Sequence, residues 1–178
     1  MVTVKSAYIC GPLTELPPEQ QASVKVLYEA VGDVCSKVLG TESFVPHQHY
    51  DPIANADATP PEVDAAEREQ IYDKTSVLVV VAIAPSWGGG IEVEMANTKG
   101  IPAIILCDAK QLAARKVSRL LRGNGAVKEV VAYHSTGEML QMLKISLCGL
   151  FPSAAASRFR GSSHGAAQEV TQQAGLSR

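Results

Sequence analysis

An unbroken hydrophobic run extends from Val77 to Ala84, and no polar residue alternates through it. A strand that is apolar on both faces is typical of the middle of a parallel sheet with helices above and below. Pro85 ends the run, the segment SWGGG follows at 86–90, and a helix is predicted to begin at about residue 91. The pattern therefore predicts a strand, a glycine-rich loop and a helix in direct succession.

The same alternation of strand-like and helix-like patterns continues along the chain to about residue 147. The predicted strands cover residues 3–10, 42–46, 77–84, 102–107 and 127–132. The predicted helices cover 19–39, 60–74, 91–99, 109–122 and 135–147, the second and the last of them starting at capping-box spacings. This order predicts an α/β fold with a doubly wound, five-stranded parallel sheet of Rossmann or flavodoxin type.

Composition indicates a single domain at 1–150, followed by a tail at 151–178. The 178 residues are 46% hydrophobic and 19% charged with a net charge of −2, which is ordinary for a globular protein. From Pro152 onward Ser, Ala, Gly, Gln and Arg dominate, so we expect a disordered tail. No basic excess favours a nucleic-acid polymer as partner, and no run has the length of a signal peptide or a membrane span. The expected location is the cytoplasm.

Neither the cysteines nor the histidines predict a metal site. The four cysteines, at positions 10, 35, 107 and 148, lack metal or redox spacing and suit reduced thiols in a cytoplasmic protein. His47 and His49 could share a metal, but no third or fourth ligand accompanies them. A ligand contact and a purely structural position both stay open for them. We expect no metal and no other cofactor.

The candidate functional elements are the glycine loop and Glu92, which is predicted to lie in the first turn of the helix after this loop. Free backbone N–H groups at such a loop bind anions, and ligands of open α/β sheets bind at the carboxyl ends of the strands. Glu92 could equally do no more than stabilise the positive end of its helix. The loop is not a Walker loop, a dinucleotide-binding GxGxxG or a nucleophile elbow, because its spacing and its place after the third predicted strand differ.

A lone carboxylate beside backbone donors can attack an electrophilic carbon with a good leaving group, such as the anomeric carbon of a nucleoside. Glycosidic chemistry needs a second carboxyl group for the proton on the leaving base. The helix before the central strand offers candidates for it, although each could belong to a solvated face. These candidates are Asp64, Glu67, Glu69 and Asp73.

Several segments resemble the nucleoside 2-deoxyribosyltransferase superfamily, and within it the 2′-deoxynucleoside 5′-phosphate N-hydrolases. The similar segments are YICGPL at 8–13, the acidic helix ending at Ser76, VVVAIAPSWGGGIEVEMA at 79–96, GIP at 100–102 and VSRLLRGN at 117–124. The resemblance spans about residues 4–147. Its most specific part is the Ser-x-Gly-x-Gly-x-Glu spacing at 86–92.

Carried onto the matching positions, the resemblance implies a nucleophile, a phosphate site and a site shared between subunits. Glu92 corresponds to the glutamate that attacks C1′, and Tyr8 to a strand tyrosine beside it. Ser86 and Ser118 correspond to serines that bind the 5′-phosphate, Ser118 from a neighbouring subunit, which implies a homodimer. His47 corresponds to a histidine that lines the sugar or base pocket. The other predicted substrate-binding positions are Gly11, Pro12, Leu13, Gly88 and Gly90.

Two places depart from the hydrolase pattern. Pro12 and Thr14 stand where these hydrolases have a serine and then an arginine, and Gly-Pro-Leu is closer to the transferase branch. Strict counting back from the central strand places the family's helix aspartate at Arg68, whereas a slip of one residue places it at Glu69. We predict Glu69 as the second catalytic carboxyl group.

Together these features predict an N-glycosidase that cleaves (deoxy)nucleoside 5′-monophosphates through a glutamate ester and releases the base and a sugar 5-phosphate. The first alternative is a nucleoside 2-deoxyribosyltransferase, in which a second base takes the place of water. The second alternative is a nucleotide-binding sensor without turnover.

Overall fold

A parallel β-sheet forms the centre of the computed structural model, which describes residues 4–152, 154 and 156. Within these residues four strands pair in the order β1-β2-β3-β4, and all three pairings are parallel. The strands are β1 (Ser6–Cys10), β2 (Thr75–Val81), β3 (Ala103–Asp108) and β4 (Val127–Tyr133). The predicted α/β class and parallel sheet are therefore confirmed.

The predicted strand at 42–46 is wrong. Only Phe44 pairs there, in an isolated parallel bridge to Tyr8. Pairing stops because Pro46, which has no N–H to donate, begins a 3-10 turn over Pro46–Gln48. The described residues thus form four strands rather than five. The bridge lies on the free edge of β1, which keeps the strand arrangement consistent with a flavodoxin-like fold.

Helices cover both faces of this sheet. In the part of the chain that the structure describes, they are α1 (Pro18–Leu39), α2 (Pro60–Lys74), α3 (Trp87–Thr98), α4 (Ala109–Ala113), α5 (Arg119–Arg122) and α6 (Thr136–Leu150). Val77, Val79 and Val81 of β2 point into the core beneath α1 and α6. Leu78 and Val80 point into the second core, beneath α2 and α3. The apolar run is thus buried on both faces, as predicted.

The helix boundaries follow the capping signals in the sequence. The Thr59–Glu62 capping box is formed, with the Glu62 carboxylate accepting the Thr59 N–H at 2.9 Å. Gly40 has a φ of 81°, and its N–H donates to the Ser36 carbonyl at 2.9 Å, so it ends α1.

The predicted single helix at 109–122 is two short helices. Arg115, with a φ of 58°, breaks the right-handed helical backbone. Asp108 caps α4 through its side chain, and Ser118 caps α5 by accepting the Leu121 N–H at 3.3 Å. The apolar spacing on which the prediction depended continues through both short helices. The break at Arg115 and the separate cap of each helix divide them.

Residues 1–3, 153, 155 and 157–178 lie outside the described residues, and so do the first residue of the predicted strand at 3–10 and most of the predicted tail. Among the helices of the described chain, none combines the length and hydrophobicity needed to cross a membrane. All four cysteines are unpaired, and Cys10 and Cys107 lie on buried strands as predicted.

Candidate active site

A cavity of about 520 Å³ opens at the carboxyl ends of β1 and β2, where ligands bind in open α/β sheets. Its wall is formed by the loop after β1, the segment at 46–58, and the facing sides of α2 and α3. Six of the residues predicted from the sequence line it, namely Gly11, Leu13, His47, Ser86, Gly88 and Glu92.

Glu92 is a buried carboxyl group at this cavity, with only 7% of its surface exposed. Ser86 caps α3 by accepting the Gly89 N–H at 3.2 Å, which fixes where the helix begins and thus where Glu92 lies. The Tyr8 hydroxyl donates a 2.6 Å hydrogen bond to Glu92 Oε1. The contact joins β1 to α3, so the fold itself brings together two residues predicted from separate motifs.

Burial raises the pKa of Glu92 from 4.5 to about 7, and the negative charges of Glu67 and Glu15 add to the rise. Hydrogen bonds from Tyr8 and Cys10 oppose the rise because they stabilise the ionised form. The Glu92 carboxyl is therefore populated in both its ionised and its neutral form near neutral pH.

The Tyr8 ring is at one end of a stack of three aromatic side chains. It stacks on Phe44 with ring centroids 5.4 Å apart, and Phe44 stacks on His49 at 4.4 Å. Burial, with the nearby charge of Glu92, raises the pKa of Tyr8 far above its ordinary value. The hydroxyl consequently keeps its proton and serves Glu92 as a fixed donor.

A second carboxyl group, that of Glu67 on α2, faces the same cavity. Burial and the charge of Asp64 raise the pKa of Glu67 above its ordinary value, while the nearby Tyr8 hydroxyl opposes the rise. Glu67 lies one helical turn before Ile71, the buried residue of α2, and therefore on the same side of the helix. Two carboxyl groups with raised pKa values thus meet beside the Tyr8 hydroxyl.

The structure does not bring Glu69 to the cavity, in contrast to the prediction. Its side chain is 60% exposed and bonds Lys74 at 2.6 Å. Two residues along a helix correspond to a rotation of about 200°, so Glu69 lies on the side of α2 away from Glu67. The signal that identifies Glu67 is its helical spacing to Ile71, which counting along the chain does not use.

His47 lines the cavity, whereas His49 does not. The His47 side chain is buried, with Nε2 3.0 Å from Glu29 Oε1 and no hydrogen-bond partner for Nδ1 within the described chain. His49 stacks on Phe44 instead. In residues 4–152, 154 and 156, no group of three or more His, Cys, Asp or Glu side chains is placed to hold a metal ion.

Gly11 lies where the loop after β1 comes closest to its surroundings. A Cβ atom there would be 2.5 Å from Tyr28 Oη and 2.8 Å from the Val81 carbonyl oxygen, so no side chain fits. The Tyr28 hydroxyl also donates to the Pro12 carbonyl, which fixes the turn. Leu13 consequently faces the cavity, while Pro12 is buried outside its lining.

The three glycines at 88–90 lie in the first turn of α3 and not in a loop before a helix at about residue 91, and they contribute only backbone. Gly88 and Gly89 line the cavity, Gly90 does not, and a Cβ at Gly88 or Gly90 would meet no atom within 4 Å. Glu15, a cavity residue that sequence reasoning missed, accepts the Trp87 N–H at 3.3 Å. These two residues are 72 positions apart, so no local pattern could have linked them.

Ser118 lies outside the cavity of its own chain. It caps α5, next to Leu120, which is 87% exposed. The structure of a single chain therefore does not bring Ser118 together with Ser86, its predicted companion at the phosphate.

No family model and no curated protein sequence matches this chain. The solution structure of BlsM superposes with a TM-score of 0.59 at 22% identity, covering 84% of this chain and 93% of that one. The CMP N-glycosidase BcmB of Clostridium botulinum gives 0.53 at 19% identity, covering 80% of this chain and 99% of that one. A conserved protein from Enterococcus faecalis V583 gives the same values. These similarities show a shared fold, and at that level the resemblance predicted from the sequence is confirmed.

Proposed function

We propose that this protein cleaves the N-glycosidic bond of a nucleoside or a nucleoside 5′-monophosphate, with Glu92 as the nucleophile. The observation that carries the proposal is the buried Glu92 carboxyl, which accepts the Tyr8 hydroxyl at 2.6 Å beside a cavity of about 520 Å³. A cavity of this volume suits a small-molecule ligand. One of the similar structures is named a CMP N-glycosidase, which supports the same class of reaction.

In the first step, the Glu92 carboxylate forms a bond to C1′, and the electron pair of the C1′–N bond leaves with the base. Water then attacks C1′ and the bond between C1′ and Glu92 breaks, which restores the carboxylate. A pKa of about 7 leaves part of the Glu92 population ionised at neutral pH. Tyr8 donates to Oε1 of Glu92, and the proposal assigns the attack on C1′ to Oε2.

Glu67 takes the role of second carboxyl group that the sequence prediction gave to Glu69. Its raised pKa keeps Glu67 protonated to a higher pH than an ordinary glutamate, so it can give a proton to the departing base. In the second step the same group, now ionised, accepts a proton from the attacking water.

The remaining polar groups of the cavity would position the substrate. Ser86 and the backbone of Gly88 lie at the start of α3, and His47 lies on the opposite wall segment. Because Ser118 lies outside the cavity of its own chain, its predicted phosphate contact requires a second subunit. For a monophosphate substrate, the proposal therefore includes a homodimer with shared sites.

The experiment is base release from a panel of common ribo- and deoxyribonucleosides and their 5′-monophosphates, separated by chromatography. Glu92→Gln should lower the rate on the best substrate by at least about a thousandfold, because it removes the nucleophile. The matched control is Glu94→Gln, an exposed position on the same helix outside the cavity. Base release by Glu92→Gln at the rate of the control would exclude the mechanism.

Base exchange is the second candidate, because the Gly11-Pro12-Leu13 turn resembles the transferase branch. Gly11 and Leu13 of this turn line the cavity, and the close contacts at Gly11 leave no room for a side chain. The covalent intermediate would be the same, and a second base would attack C1′ in place of water. Adding a different free base to the assay separates the two: a new nucleoside indicates a transferase, and free sugar alone indicates a hydrolase.

A further inference from the structure

The Asp, Glu, Lys and Arg side chains that line the cavity are all of one sign, because each is an Asp or a Glu. Four carboxyl groups line the cavity, and none of its described lining residues is a lysine or an arginine. The four are Glu15, Asp64, Glu67 and Glu92. A cleft lined by one sign of charge concentrates the opposite sign and repels its own, so this lining disfavours an anionic substrate group.

Glu15 occupies the place where a glycine-lined helix start would otherwise bind an anion. It accepts the Trp87 N–H at 3.3 Å. Ser86 accepts two more N–H groups of this turn, that of Gly89 at 3.2 Å through Oγ and that of Gly90 at 3.3 Å through its carbonyl. The bond from Gly90 is the first regular bond of the helix, and of the N–H groups that a helix start leaves free, those of Trp87 and Gly89 are satisfied by side chains of the chain itself.

Glu15 also lies within electrostatic reach of the reacting groups. Its charge contributes to the raised pKa values of Glu92 and Tyr28, which both line the cavity. The opposite wall segment holds the buried Nδ1 of His47, which has no hydrogen-bond partner within the described chain and is a polar but not a cationic side-chain atom of the lining.

We propose that Glu15 selects a substrate with an uncharged 5′ end, so that the substrate is a nucleoside rather than its 5′-monophosphate. This inference rests on the proposed function of the same cavity. A 5′-hydroxyl can donate a hydrogen bond to the Glu15 carboxylate. A phosphate dianion has no proton to donate and is repelled by the negative charge of Glu15. The Glu15→Gln substitution removes this repulsion.

Matched pairs test the inference: 2′-deoxycytidine with its 5′-monophosphate, cytidine with CMP, and the adenine equivalents, each compared by kcat/KM for base release. The wild type should prefer the nucleoside by about tenfold or more, the scale of one like-charge contact near a surface. Glu15→Gln should reduce this ratio by about tenfold, chiefly through a lower KM for the monophosphate, and Glu15→Lys should reduce it further. Glu19→Gln, an exposed position outside the cavity, is the control and should leave the ratio unchanged.

A wild-type preference for the monophosphate, or a ratio that Glu15→Gln does not change, overturns the inference. That is the result expected if a second subunit brings Arg119 or Arg122, the first and last residues of α5, to the cavity. If no base is released from either member of any pair, the proposed function fails, and calorimetric binding of the same pairs decides the inference. Tighter binding of the nucleoside, lost in Glu15→Gln, supports it, and tighter binding of the monophosphate overturns it.

Discussion

Replacing Tyr8 by phenylalanine should move the pH dependence of base release to higher pH. The change removes the hydroxyl that donates to Glu92 at 2.6 Å and keeps the ring that stacks on Phe44. Because the hydrogen bond from Tyr8 lowers the pKa of Glu92, that pKa should rise above about 7 when the donor is lost. The nucleophile is then protonated over a wider pH range.

The size of the shift follows from the energy of the lost hydrogen bond. A hydrogen bond to a charged group contributes about 1.5–3 kcal/mol, and one pKa unit corresponds to about 1.4 kcal/mol. The acid limb of the kcat/KM profile should therefore move up by about one to two pH units. Activity at pH 7 should fall by about five- to fiftyfold.

The assay is the rate of base release from the best substrate between about pH 5.5 and 9.5, with circular dichroism to check the fold. Tyr133→Phe is the matched control, since Tyr133 is also a buried strand tyrosine and lies outside the cavity. An inflection that stays in place, or moves to lower pH, would refute the reasoning. An equal loss of activity at every pH would mean that the hydroxyl acts on the substrate or on the fold.

The remaining predictions concern stability. Gly11→Ala should lower the free energy of unfolding by about 1–3 kcal/mol, measured by urea titration, because the new Cβ would lie 2.8 Å from a backbone carbonyl oxygen. The control is Gly88→Ala, which has open space around the new Cβ and should lower the free energy of unfolding far less. Equal losses in the two variants would contradict the structure. Glu92→Gln should raise the free energy of unfolding near pH 8 by up to roughly 3 kcal/mol. The folded chain holds the Glu92 proton with a pKa of about 7 instead of 4.5, so wild-type stability falls as the pH rises through that interval. A Glu92→Gln effect of the same size at pH 4 and pH 8 would rule this out.

The region from β2 to α3 could be predicted from the sequence because its signals are local. The apolar run at 77–84 indicates burial on both faces, Pro85 ends it, and the glycines precede a helix whose first turns carry Glu92. In this region the structure differs mainly at the boundaries, since β2 ends at Val81 and α3 already begins at Trp87.

The features that local patterns did not locate depend on three-dimensional neighbours. Glu69 was predicted by counting along the chain, but the face of a helix is set by rotation about its axis, and that rotation places Glu67 at the cavity. Glu15 could not be identified because its partner Trp87 is 72 residues away. The strand at 42–46 has a β-like composition, yet Pro46 ends its pairing after a single residue.

The early departure of the chain from the sheet after Phe44 bears on how new specificities can evolve on this scaffold. Residues of the segment 46–58 form one wall of the cavity and need not follow the regular pairing that a fifth strand would impose. Lengthening such a wall is inexpensive, since doubling a loop adds only about 0.6 kcal/mol of closure entropy. Insertions there can reshape the cavity while Tyr8, Glu67 and Glu92 keep their positions on regular elements.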